Sequence, residues 1–204
     1  MTAEHFTETL IKAIAAPFRL RITGFPACGK TTLSRIIATR IPEIVHIESE
    51  AWIHSLDYRK TRDLSGAHPE GYEIHQALLD IKAFISGKSI RMRKYDHHIG
   101  DRTEVSLLAS PPGVPLILDG TLFSLNEFDS LIPDCIFLRP AVFEDWLRAS
   151  IKRDVEQRFF SEAEATRHNM RKARDLQLVL ERSPRARCVT CHLPSMLYDW
   201  VDTA

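Results

Sequence analysis

The sequence predicts an α/β fold, a mostly parallel sheet with helices on both faces, and three observations carry the prediction. Gly24-Phe25-Pro26-Ala27-Cys28-Gly29-Lys30-Thr31-Thr32 fits the phosphate-binding pattern G-x-x-x-x-G-K-[ST] without a mismatch. A strand-like alternation over 18–23 precedes that stretch, and a helical stripe over 32–40 (Leu33, Ile36, Ile37) follows it. Further along, short apolar runs alternate with longer helical periods, as strands joined by crossover helices do.

In chain order, 4–15 reads as a short amphipathic helix ending before Pro17. In the strand 18–23, Arg19 and Arg21 alternate with Phe18, Leu20 and Ile22, whereas a central parallel strand is usually apolar on both faces. Either this strand lies near an edge, or the two arginines reach past the sheet. The helix over 32–40 stops at Pro42, and 43–47 is a second short strand. Glu48 and Glu50 follow it, at the strand end where open α/β sheets bind ligands. Either acid can accept a proton from a hydroxyl, or it is a helix-start or solvated charge.

Residues 54–71 are polar, contain Gly66, Pro69 and Gly71, and read as a loop. A helix over 72–86 places Ile74, Leu78, Ile81 and Ile85 on one stripe and closes at Gly87. The basic segment 89–102 either lines an anionic site or forms a surface hairpin. Residues 115–120 form a buried-type strand ending in Asp119, an acid placed to hold Mg²⁺ or its water opposite the phosphate loop. The next strand is 134–138. Helix 141–158 carries Phe143, Leu147, Ile151 and Val155 on one face, with Arg148, Lys152, Arg153 and Arg158 elsewhere. Those cations are either a solvated face or a lid over a phosphoryl group. A charged helix over about 161–181 and a last strand, 187–191, complete the chain.

Composition narrows the function. The 204 residues suit one domain with a full core. Lys+Arg and Asp+Glu both number 27, so no net field recruits nucleic acid or a membrane. No segment approaches the length of a spanning helix, and the N-terminus lacks the basic start and apolar run of a signal peptide. The four cysteines are therefore expected as reduced thiols in the cytoplasm. Cys28 lies near a helix start, where a thiolate is favoured, and is either a redox-sensitive group or a small packing residue. Cys188 and Cys191, in Cys-Val-Thr-Cys-His, match a haem-attachment string and half of a zinc site. Without an export signal or a second pair, two thiols on a core strand are expected instead.

From about residue 18 to 160, the blocks resemble the uridine kinase and phosphoribulokinase group of P-loop kinases. After the loop come Ser49-Glu50-Ala51-Trp52-Ile53 for its Asp-x-Phe-Tyr segment, and His68-Pro69-Glu70-Gly71-Tyr72-Glu73 for its His-Pro-Asp-Ala-Phe-Asp. Residues 87–96 with Arg102 resemble its Gly-Lys…Tyr-Asp…Arg segment, 116–120 its apolar strand ending Glu-Gly, and 151–158 its lid helix. The resemblance implies a P-loop NTP hydrolase-like fold in one kinase domain, 1–204, with a small helical lid over about 148–170. It implies ATP and Mg²⁺ as cofactors and a small-molecule hydroxyl as acceptor, with no nucleic acid or membrane partner and the oligomeric state open.

By the same resemblance, residues 24–32 hold the nucleotide, with Lys30 on its phosphates, and Thr31 and Asp119 hold the metal. Glu50 is the general base, and Arg153, with Arg148 and Arg158, meets the γ-phosphate. Tyr95 and Arg102 face the acceptor, and His68 is either a substrate contact or a loop cap. The sequence departs from the family's uridine enzymes at Ala67, where they carry a ribose-gripping Asp. It departs again at Gly100, where they carry a His, with His97 and His98 displaced toward Tyr95. A site that loses such a partner loses discrimination. The first acceptor expected is a nucleoside, the second a sugar phosphate held by Arg91, Arg93, Lys94 and Arg102, and a nucleotide-responsive switch is the alternative from another class.

Overall fold

The structure, a computed structural model, describes residues 1–96, 99–111, 113–183 and 186–201. His97 and His98 lie outside the described residues. A six-stranded sheet has the order β2-β5-β1-β6-β7-β8, built from β1 (Arg19–Gly24), β2 (Val45–Glu48), β5 (Leu116–Asp119), β6 (Cys135–Pro140), β7 (Arg187–His192) and β8 (Leu197–Trp200). The first five strands are parallel and β8 is antiparallel to β7. Register sets β1 beside β5 and β6, so the carboxyl ends of β1, β2 and β5 lie along one edge, with Glu48 opposite Asp119. Helices α1 (Ala3–Ala13), α2 (Lys30–Arg40), α3 (Leu56–Thr61), α4 (Ile74–Ile85), α5 (Phe143–Arg158) and α6 (Glu162–Glu181) pack around it, and β3 (Ile90–Asp96) with β4 (Asp101–Leu108) forms a separate antiparallel hairpin.

Two apolar cores flank the sheet. One joins Ile47, Trp52, Ile81, Phe84, Leu116, Leu118 and Phe123; the other joins Phe6, Leu10, Leu20, Ile22, Leu33, Ile37, Ile136, Leu138 and Trp146. Burial on both faces explains why β5 and β6 read as continuous apolar runs.

For Arg21 the alternative is resolved in favour of reach. β1 is central, and Arg21 is fully buried. Its Nη1 donates to the carbonyls of Phe123 (3.0 Å) and Leu125 (3.1 Å), and its Nη2 to the Asp129 carboxylate. A buried charge is tolerated when it is paired and hydrogen-bonded, as here.

Four expectations need correction. The segment 54–71 is not all loop: Ser55 caps α3 by accepting from the Tyr58 amide, and a short 3-10 turn covers Pro69–Gly71. On α4 the fully buried residues are Ala77, Ile81 and Phe84, which rotates the stripe and leaves Ile74, Leu78 and Ile85 on its flanks. On α5 the buried face is Trp146, Ser150 and Asp154, while Phe143 and Val155 are exposed. Asp154 pairs with Asn169 and Lys172 of α6, and Trp146 donates to the Pro26 carbonyl, contacts that apolar periodicity cannot register. β8 went unread, because Leu197–Trp200 is too short to show a period.

Candidate active site

The phosphate loop is shaped by close approach. Gly24 has φ +116°, and a Cβ there would lie 2.1 Å from the Leu138 carbonyl oxygen. Gly29, at φ +84°, is the N-cap of α2 with no side-chain cap, so the first-turn amides of that helix are turned toward the loop as an anion site. Lys30 Nζ bends over the loop, donating to the carbonyls of Gly24 (3.2 Å) and Phe25 (3.1 Å). Thr31 and Thr32 begin α2 with exposed side chains. The loop is held from behind by a residue with no motif or period to mark it. Trp146 of α5 donates from Nε1 to the Pro26 carbonyl (2.8 Å), and its ring meets Phe25 edge-on at 5.1 Å.

Cys28 is fully buried against Cys191 and Tyr198 in one core cluster. The Cys191 thiol and burial push its thiol up, so the thiolate expected at a helix start is not favoured. Cys188 and Cys191 lie three apart on β7, which points their side chains to opposite faces of the sheet.

Acids converge on the other side of the cleft. Asp119 ends β5 almost buried, with its Oδ2 3.4 Å from His46 Nε2. Although burial opposes its charge, that imidazole is pushed up overall by Asp119, Glu48 and Glu50. Glu50 sits in the turn after β2, half-buried. Burial, then the charges of Glu48 and Asp119, push its carboxyl up against the opposing pull of Lys30. Glu50 thus interacts with both Lys30 and Asp119.

Cations face them from α5 and α6. Asp154 is fully buried and accepts from Arg153 (Nε 3.1 Å, Nη2 2.9 Å) and from Asn169 (3.0 Å), with Arg158 at 3.3 Å and Lys172 at 3.7 Å. The Arg158 charge also interacts with Glu50 and Tyr95. Arg148 instead turns back to Asp145 on the exposed surface.

The remaining expected residues fall into different settings. Tyr95, on β3, receives the Arg59 guanidinium on its hydroxyl, and it interacts electrostatically with Glu50. Arg102 closes a two-pronged ion pair on Glu73 (2.7 and 2.9 Å), which Arg93 approaches to 3.7 Å. His68 caps the turn at Pro69–Gly71, its Nδ1 accepting from the Glu70 amide at 3.2 Å. Ala67 is buried with Phe137, Leu176 and Val179. Gly100 (φ +71°) stands where a Cβ would be 2.6 Å from that of Leu56. A groove of about 610 Å³ opens behind the Glu50 turn, between α4 and the hairpin, with Trp52, Glu73, Asp80, Arg91 and Arg93 among its walls. Sequence reasoning missed Arg59, which is buried and bonded to the His54 carbonyl at 3.0 Å, because it fell in the segment read as loop.

No family model matches the sequence, and no curated protein matches it by sequence. Solved structures do match, and several of them are described as kinases. A protein described as a possible fructose transport system kinase from Silicibacter sp. TM1040 superposes with a TM-score of 0.66 at 14% identity, over 87% of this chain and 95% of that one. Phosphoribulokinase from Rhodobacter spheroides gives 0.64 at 17% identity, covering 92% and 76%. A protein described as a possible uridine kinase from Bacillus stearothermophilus gives 0.57 at 13% identity, covering 89% and 91%. The chain therefore has the P-loop kinase fold, and its structural neighbours are of the uridine kinase and phosphoribulokinase group.

Proposed function

We propose that this chain is an ATP-dependent kinase that transfers the γ-phosphoryl group to a hydroxyl of a small molecule, in one domain whose lid spans about 148–170. The observation that carries the reading is the position of Glu50, whose carboxyl feels Lys30 from the phosphate loop and interacts with Arg158 from α5. In this reading a base for the acceptor, a cation for the donor phosphates and a cation from the lid side act together on one transfer.

In this mechanism the loop amides and Lys30 hold the triphosphate, and Glu50 accepts the proton of the acceptor hydroxyl. Its raised pKa brings it nearer the range where a carboxylate works as a base near neutrality. Arg153 and Arg158, fixed by Asp154, offset charge on the phosphoryl oxygens, since this chemistry is mainly positioning and electrostatics. The hard oxygens of Thr31 and Asp119 suit Mg²⁺, and the mutual repulsion of Asp119, Glu48 and Glu50 is what a divalent cation relieves. Bound there, the ion would neutralise charge on the phosphates.

A nucleoside is the first acceptor proposed. A sugar phosphate is weakened by one contact: of the four basic residues that would hold its phosphate, Arg102 is already closed on Glu73. Incubation with γ-labelled ATP and a panel of nucleosides, sugars, sugar phosphates and vitamins tests this. Label on a nucleoside is expected, and label on a ribose phosphate would move the acceptor assignment. Slow ATP loss that no alcohol accelerates would overturn the kinase reading in favour of a nucleotide-responsive switch.

A further inference from the structure

Among the described residues two arginines are buried, and their settings differ. Arg21 meets the Asp129 carboxylate as well as two carbonyls, so its charge has a counter-ion. Arg59 is only 5% exposed, yet its partners are neutral. Its Nε donates to the His54 carbonyl (3.0 Å), its Nη2 donates to the Tyr95 hydroxyl, and the guanidinium lies 5.7 Å from the centre of that ring. Among the described residues no acid forms an ion pair with Arg59, and its Nη1 makes no hydrogen bond. A guanidinium is rarely buried without a counter-charge, because taking it out of water is costly unless an anion compensates.

The chain fastens Arg59 close to the proposed base. The Ile53 amide donates to the Glu50 carbonyl (3.2 Å), and the carbonyl of the next residue, His54, is the one that holds Arg59. Ile53 also pairs with Tyr72, whose hydroxyl donates to the Gly66 carbonyl at 2.6 Å. Gly66 in turn flanks the unused nitrogen, since a Cβ there would lie 3.3 Å from Nη1. The hydroxyls of Tyr72 and Tyr95 each interact with both Glu50 and Arg59. Glu73, the acid that follows Tyr72, does not serve Arg59: it is closed on Arg102 and approached by Arg93.

We propose that Arg59 binds an anionic group, phosphate or carboxylate, carried by the acceptor whose hydroxyl Glu50 deprotonates. The planar guanidinium suits either group. Arg59 stands on α3, apart from the four basic residues of the hairpin. The proposal rests on the kinase reading above and narrows its acceptor: a nucleoside is then taken as its monophosphate, and a sugar as its phosphate or acid.

The test uses the full chain with its phosphate loop filled by a slowly hydrolysed, magnesium-bound thiotriphosphate of adenosine. Inorganic phosphate is the probe, added by calorimetric titration. Wild type is expected to bind the added phosphate, Arg59→Gln to bind it roughly 10-fold or more weakly, and Arg59→Lys to fall between, with nucleotide affinity alike in all three. Gly66→Ala, which crowds Nη1 and leaves the charge in place, should weaken the same step and keeps the test decisive if Arg59→Gln does not fold. Transfer assays on matched pairs, each nucleoside or sugar beside its phosphate or acid, identify the carrier. The charged member is expected to react, and Arg59→Gln should raise its KM more than it lowers kcat. No phosphate binding by wild type, equal binding by wild type and the variants, or transfer to neutral members alone overturns this inference and leaves the kinase reading in place. No nucleotide binding by wild type overturns that reading, and this inference with it.

Discussion

Gly120 and Ser49 pack so closely that a methyl group on Gly120 would lie 2.0 Å from the Ser49 hydroxyl oxygen and 2.7 Å from its Cβ. Gly120 directly follows Asp119, and Ser49 directly precedes Glu50. This contact therefore sets the spacing between the two acids on which the proposed chemistry depends.

Replacing Gly120 with Ala should push the Glu50 turn away from β5. The backbone there has φ +125°, which an L side chain rarely adopts, so strain adds to the clash. We expect a loss of about 1–3 kcal/mol in unfolding free energy. Transfer activity should fall further than nucleotide affinity, because the phosphate loop lies on a different strand end. Denaturant unfolding, nucleotide titration and turnover on the same preparation check both parts.

The indole of Trp146 ties α5 to the phosphate loop through the Pro26 carbonyl. Trp146→Phe keeps the ring against Phe25 and removes the donor. A lost hydrogen bond of about 1 kcal/mol corresponds to roughly fivefold weaker nucleotide binding. Titration with the magnesium-bound triphosphate should show that change, with melting only slightly lowered.

His168 gives the fold a pH dependence of known sign. Burial and the charge of Lys172 push its imidazole down to about 3 from the ordinary value of 6.5. Between those values the unfolded chain binds the proton and the folded chain does not, so stability is lost as pH falls below about 6.5. At pH 5 the loss traceable to this group is at most about 2 kcal/mol. His168→Phe should unfold with a flatter pH dependence than wild type from pH 7 to 5, read from urea midpoints at each pH. Parallel curves would show that the imidazole stays protonated in the folded protein.

The sheet and the phosphate loop were legible because each leaves a local signature: β5 is apolar on both faces, and the loop needs glycines at Gly24 and Gly29. Arg21 was visible as an anomaly but not as a contact, since its partners lie more than a hundred residues away. Asp154 went unremarked for the same reason, as its worth comes from Asn169 and Lys172 on the following helix. Periodicity misled on α5, where Trp146 and Asp154 are buried by polar partners on the phosphate loop and on α6 and the apolar stripe is partly left to solvent. Ala67 and Gly100 looked like losses from a binding site, yet one fills an apolar cluster and the other makes room for Leu56.

The central claim is that Glu50 serves the acceptor while the loop around Gly29 and Lys30 serves the nucleotide. Glu50→Gln, compared with wild type for both turnover on the acceptor found by the label screen and affinity for the magnesium-bound triphosphate, tests it most directly. Turnover should fall by roughly 10²–10⁴ with affinity preserved. Turnover within a few-fold of wild type would contradict the account and leave Glu48 as the acid to examine.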